Sequence, residues 1–245
     1  MEKFFTETRF KPVDFDPFKG PAIERTVPST EPQREVFIAS RMGPEASCAY
    51  NESVSLVLIG PLDRSVLERG INLLVQRHDG LRSVMSDNGL RVVVFTEGAI
   101  APAFTDISAL LKEEREARLA AIADADMRTP FDLVNGPLFR AHLVRTGPDE
   151  HLLRLTGHHV VIDGWSMGII MAELSRIHSA LVASTPIDLP PAVPFSAYAM
   201  AMIDHARGPE HGNVERYWLD QFKGPLPRVE LPTDRPRPER KTYNG

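Results

Sequence analysis

Apolar residues along the chain switch between two periods, and each switch marks an element. In SVSLVLIG (53–60) Val54, Leu56 and Leu58 alternate with other residues, which predicts a strand with one buried face. Asp63 then caps a helix whose apolar positions, Val66, Leu67, Ile71, Leu74 and Val75, fall on one side. Arg77-His78-Asp79-Gly80 closes it, with Gly80 as the expected terminator. A short strand at 82–85, the turn Asp87-Asn88-Gly89 and RVVVF (91–95) predict a hairpin. LFRAHLV (138–144) and HLLRLT (151–156), joined by Thr146-Gly147-Pro148-Asp149, predict an antiparallel pair.

Helices fill the intervals. TEPQREVFIAS (30–40) starts one with Thr30 as N-cap and Pro32 in the first turn. A charged helix is expected from Ser108 to about Met127, with Leu110, Leu111, Leu119 and Ile122 inward and LKEEREAR as a solvated face. Another opens at Trp165 with Ile169, Ile170, Leu174, Ile177 and Leu181 inward, and 194–206 and 213–222 are helical by pattern. Together these predict an α/β (α+β) fold, a mixed sheet flanked by helices, after a mostly irregular opening.

Composition narrows the class. The 245 residues are 42% hydrophobic and 25% charged, an ordinary globular balance. Net charge is −5, which disfavours a nucleic-acid partner. A single cysteine, Cys48, rules out an intrachain disulfide and favours a cytoplasmic location. No run reaches the roughly 20 apolar residues that cross a bilayer, so no membrane partner is expected, and the charged opening MEKFFTETRFKPVDF lacks the apolar core of a secretory signal. The 21 prolines crowd at 12–32 and 186–238, and the closing run reads as a linker toward further chain.

Candidate chemistry concentrates in TGHHVVIDGWS (156–166), a strand-to-helix connection. An imidazole can take a proton from an amine or hydroxyl at neutral pH, and adjacent side chains on extended backbone point opposite ways. One of His158 and His159 can therefore face a cleft while the other packs. Gly164 permits a tight turn and leaves the helix N-terminus accessible to negative charge. On residues alone three readings stand: half-buried histidines with Asp163 as a helix cap, a catalytic imidazole, or a metal site. The third lacks HExxH or another ligand at helical spacing. His142, His178, His205 and His211 fit packing or surface roles, and Ser166 lacks a nucleophile elbow.

The stretch resembles the HHxxxDG motif of nonribosomal peptide synthetase condensation domains, within the chloramphenicol-acetyltransferase-like superfamily. Other stretches match in order. Arg77-His78-Asp79-Gly80-Leu81-Arg82-Ser83 is similar to R-H-x-x-L-R-T. Thr30, Gln33 and Phe37 are similar to S-x-A-Q-x-R-L-W, with Pro32 and Glu35 as departures. PFDLVNGPLFRAHLV (130–144) is similar to P-F-D-L…G-P-L-x-R. Phe195 and Tyr198 loosely match Y-x-D-Y, with Ala197 where an acid is common, and YWLDQFKG…LPTDRPRP (217–238) matches the segment that follows. Gly164-Trp165-Ser166 favours condensation over epimerisation, and the intact histidine pair is unlike a cyclisation domain.

The resemblance implies two lobes and about twice this length, so residues 1–185 are expected to form the N-terminal lobe and 186–245 the crossover and start of the C-terminal lobe. It implies amide bond formation between a carrier-bound acyl or peptidyl thioester and the amine of a carrier-bound amino acid. His159 would be the active histidine, as general base or positioning group. His158 and Asp163 would be architectural, with Asp163 paired to Arg82, and Gly164 would give backbone room near the reacting carbonyl. No cofactor or metal is implied: substrates ride on the phosphopantetheine of donor and acceptor peptidyl carrier proteins. The partners are those proteins, the rest of the domain and neighbouring synthetase domains, in secondary metabolite and antibiotic biosynthesis. A stand-alone acyltransferase using coenzyme A and a non-catalytic scaffold or docking lobe are the alternatives. One lobe alone is expected to fold but not to turn over, with residues after about 190 short of partners.

Overall fold

The computed structural model describes residues 20–227, 232–236, 238–239 and 242–243. The opening MEKFFTETRFKPVDF and part of the closing proline-rich run lie outside them. The described residues open with a strand, β1 (Ile23–Pro28), where the sequence pattern predicted irregular backbone. Helix α1 (Glu31–Ser40) follows with a full capping box: Gln33 N–H is received by Thr30 Oγ1, and the Thr30 N–H donates to Gln33 Oε1. A short α2 (Pro44–Cys48), not foreseen, leads into β2 (Asn51–Ile59).

Helix α3 (Arg64–Arg77) starts on the Asp63 cap, as predicted, but it ends without Gly80. His78 leaves the helix in extended backbone, and Gly80 lies inside a single 3-10 turn, Asp79–Arg82. Strands β3 (Ser83–Met85) and β4 (Arg91–Phe95) form the expected hairpin, and β1 pairs on its other side. The result is a three-stranded antiparallel sheet, β1-β4-β3. Gly89 turns that hairpin at φ +70°, and a Cβ there would strike the Phe37 ring at 2.3 Å.

The larger sheet supplies the mixed character. After β5 (Ala103–Asp106) and α4 (Lys112–Met127) come β6 (Phe139–Gly147) and β7 (Glu150–His158). The order is β2-β7-β6-β5, with β5 parallel to β6 and the other pairs antiparallel. α4 begins at Lys112 and not at Ser108, because Asp106 Oδ1 accepts from both the Ser108 amide and hydroxyl and closes a turn there. Leu110 and Leu111 are accordingly exposed, while Ile122 is buried.

The two faces of this sheet pack differently. Leu67, Ile71 and Leu74 of α3 meet Phe139, Ala141, Leu143, Leu153 and Leu155 from one face. They also meet Met167, Ile170, Leu174 and Ile177 of α5 (Gly164–Ala183). Ile169 stays exposed, against the expected inner face. On the other face Ile122 of α4 packs on Val144, and Asp126 accepts from Arg140 Nε at 2.6 Å and Arg154 Nε at 2.7 Å. Burial would raise the Asp126 carboxyl, but hydrogen bonds from Thr156, Arg154 and Arg140 hold it below its ordinary range.

Past residue 190 a buried carboxylate fastens the chain to the preceding elements. The buried Asp79 carboxylate accepts from the Phe195 amide at 2.7 Å, the Ser196 amide at 3.1 Å and the Ser196 hydroxyl at 2.7 Å. It caps α6 (Phe195–Ala206) from another element, and Ala199 buries behind it. Helix α7 (His211–Gln221) buries none of its residues and exposes Tyr217 and Trp218. Asp79→Ala is expected to weaken α6 docking by about 1–2 kcal/mol. Hydrogen exchange would show this as about tenfold faster exchange within α6, with the α3 amides unchanged.

Candidate functional site

The histidine pair sits where β7 ends, and its backbone is held on both sides. His158 N–H donates to Leu138 O at 3.0 Å, and His159 N–H donates to Tyr50 O at 2.8 Å. Val161 and Ile162 amides then return to His158 O at 3.0 and 3.2 Å, closing a turn. Two apolar side chains fix the loop from below. Val160 enters the cluster of Val27, Phe37, Met85, Phe131 and Leu138, while Ile162 enters the cluster between α3, α5 and the larger sheet. Gly157 makes room for the second anchor, since a Cβ there would meet Ile162 Cδ1 at 2.8 Å. The Val160 carbonyl accepts from Gln33 Nε2 at 3.0 Å, so the α1 capping residue also secures the loop.

This frame separates the imidazoles. His158 is fully buried. Its Nδ1 accepts from the Val160 amide at 3.2 Å, which leaves Nε2 as the donor facing Ser40 Oγ at 3.3 Å. Ser40 in turn donates to Val36 O at 2.7 Å. The Phe131 ring stands edge-on to the imidazole at 6.1 Å. Burial, with a smaller push from His159 against the Ser47 backbone, lowers His158 to about 4. The ring is therefore a neutral packing group at physiological pH. His159 points the opposite way, with its side chain 48% exposed. Nε2 lies 3.8 Å from Glu52 Oε2 of β2, a residue the sequence pattern did not single out.

Asp163 and Arg82 do not meet. Asp163 is exposed and caps α5, its Oδ1 accepting from the Ser166 amide at 2.8 Å and hydroxyl at 2.6 Å. Those two bonds, with His159 nearby, hold its carboxyl below the ordinary range despite some burial. Arg82, only 8% exposed, is turned away by the 3-10 turn toward β1 and β4. It pairs with Glu24 Oε2 at 2.5 Å and donates to the carbonyls of Gln76 and Phe95. The expected Asp163–Arg82 pair is thus replaced by an intra-loop cap and a separate ion pair. Gly164 opens α5 in helical backbone, so the tight turn belongs to residues 158–162 and not to this glycine.

A cavity of about 570 Å³ lies on the far side of the loop, between the first half of α5 and the segment before α6. Val161, Gly80, Ile169, Trp165 and Tyr198 line it, and Trp165 is 82% exposed. At its edge Glu173 binds Arg77 Nε at 2.9 Å and His78 Nε2 at 2.6 Å. Among the described residues no three His, Cys, Asp or Glu side chains gather to hold a metal ion, and no helix is long and apolar enough to cross a membrane.

A buried imidazole beside an exposed one, at a strand end between two cores, is the arrangement the HHxxxDG resemblance requires. The family model of the condensation domain matches residues 23–245. This chain belongs to the condensation domain family. Its relatives include a linear gramicidin synthase of Brevibacillus parabrevis, 36% identical over 227 residues, which cover 91% of this chain and 3% of that protein. The phosphinothricin tripeptide synthetase PhsC of Streptomyces viridochromogenes is 32% identical over 241 residues, 94% of this chain and 22% of that protein. Among solved structures, the starter condensation domain of the rhizomide synthetase superposes with a TM-score of 0.73 at 24% identity, over 81% of this chain and 48% of that chain. This chain thus spans about half of that solved chain and a small part of its curated relatives.

Two results are expected. Unfolded histidine titrates near 6.5 and folded His158 near 4, so between those values the unfolded chain binds more protons. The His158 contribution to the unfolding free energy should fall by about 3 kcal/mol as pH drops through that window and level off below it, where the lowered carboxyls of Asp126 and Asp163 continue the loss. Half-buried His142 and buried His151, also lowered, add to the loss, and His158→Asn should flatten part of the slope in urea titrations at stepped pH. Asp163→Ala should cost about 1 kcal/mol as a lost cap, with Asp163→Asn retaining most of it. Combined with Arg82→Ala the two losses should add, whereas a coupling above about 1 kcal/mol would restore the direct pair.

Proposed function

We propose that this chain is one wall of a condensation active site, the N-terminal lobe through residue 185 with the crossover and start of a C-terminal lobe from 186 to 245. His159 faces the acceptor amine. The amine nitrogen attacks the carbonyl carbon of a thioester, a C–N bond forms, the C–S bond breaks, and the proton leaving nitrogen ends on the departing thiol. His159 positions the amine or takes that proton in passing. A neutral amine attacks a thioester readily, so alignment supplies much of the gain.

The observation that carries this reading is the division of labour between adjacent imidazoles, His158 sealed and neutral, His159 exposed on a rigid strand end. Donor and acceptor arrive on the phosphopantetheine arms of carrier proteins. The exposed aromatic face of α7 and the open side of His159 are where the second lobe would lie. A solved rhizomide starter condensation domain is described in complex with C8-CoA. Coenzyme A ends in the same phosphopantetheine thiol, which supports a thioester donor of either kind.

The test uses loaded donor and acceptor carrier proteins with product read by mass spectrometry. The chain alone is expected to give no condensed product, because one wall leaves the reactants unaligned and the site wet. The two-lobed domain containing it should condense them and lose about 10²–10⁴-fold on His159→Ala. Turnover by the chain alone, or an active His159→Ala variant, would overturn the proposal.

A further inference from the structure

One buried polar atom near His159 has no partner. On β2 the residues facing the core are Glu52, Val54, Leu56 and Leu58, and the last three pack on the main apolar cluster. Glu52 is the end of that row nearest the loop, opposite Gly157 of β7 in the strand register. Its Oε2 is buried and accepts no hydrogen bond. Such an oxygen loses water without replacement, and an aliphatic residue at the end of an apolar row would avoid that loss.

The surroundings say what the oxygen is for. Nε2 of His159 lies 3.8 Å from it, too far for a finished hydrogen bond but within the reach of a small rotation of the exposed ring. Asp163, the other carboxylate of the loop, has Oδ1 committed to Ser166. The other Glu52 oxygen borders Gly164, where a Cβ would stand 3.4 Å from Oε1. We propose that Glu52 is a positioning residue for His159, its buried Oε2 receiving the Nε2–H and fixing the ring plane for the incoming amine. This rests on the reading of His159 as the reactive imidazole. Apo sites often show such contacts long, tightening only when substrate arrives.

The experiment compares wild type with Glu52→Gln and Glu52→Val, the second completing the aliphatic row and expected to fold at least as well. Imidazole ¹⁵N spectra of the full chain should show His159 as the Nε2–H tautomer in wild type. They should show a mixture of tautomers in Glu52→Val, with thermal unfolding unchanged or raised. In the two-lobed domain kcat should fall about tenfold to a hundredfold in Glu52→Val with KM little changed, a part of what proton handling contributes. Glu52→Gln, which can still accept a hydrogen bond, should recover most of it. If both variants keep the wild-type tautomer and kcat while His159→Ala is inactive, Glu52 is a bystander and the inference fails alone. If His159→Ala remains active, the reading of His159 fails instead.

Discussion

Everything at the site depends on the loop after β7 being nailed into two cores at once. Val160 and Ile162 are two residues apart and enter different apolar clusters, one against the small sheet, the other against α3, α5 and the large sheet. Burying such side chains contributes roughly 1.5–3 kcal/mol each. The alternation this forces leaves His159 and Asp163 no choice but the outer side, and it sends His158 inward. Exposure of the His159 ring is thus a consequence of packing, not of a flexible loop.

The same constraint sets the electrostatics. A ring driven inward must be satisfied there, and the Val160 amide and Ser40 hydroxyl do so only for one neutral tautomer. Protonation would place a second donor where an amide already donates, so the loop resists acid only down to the point where His158 must charge. The outer carboxylates meet no such limit, and Asp163 is free to cap α5 while Arg82 serves the small sheet.

Much of this was legible in the sequence because period and capping are local. The Asp63 cap, the hairpin at 83–95, the β6–β7 pair and the opposite directions of His158 and His159 all follow from neighbours within a few residues. What escaped depends on partners far along the chain. β1 is recognisable only through its pairing with β4, and its sequence IERTVP carries weak alternation. Asp79 reads as part of a helix end, yet its carboxylate caps a helix more than a hundred residues later. The Asp163–Arg82 pair came from the family resemblance, and local Ser166 donors on this chain satisfy the acid first. Glu52 was missed because a lone polar residue in a strand is unremarkable until its row and its neighbour are known.

The fixed histidine and the loosely covered C-terminal helices belong to one design. The loop needs only the elements up to α5 to hold its shape, since every hydrogen bond described for its backbone comes from residues between 33 and 167. In the proposed reaction, alignment of two substrates would need more: a second surface facing His159 to exclude water and set the attacking nitrogen against the carbonyl. Asp79 holds α6 against the 3-10 turn after α3, while α7 presents tyrosine and tryptophan outward with its apolar face uncovered. Under the proposed condensation reading, rigidity in this wall and closure in a second one would let carrier arms enter and leave without disturbing the His159 ring.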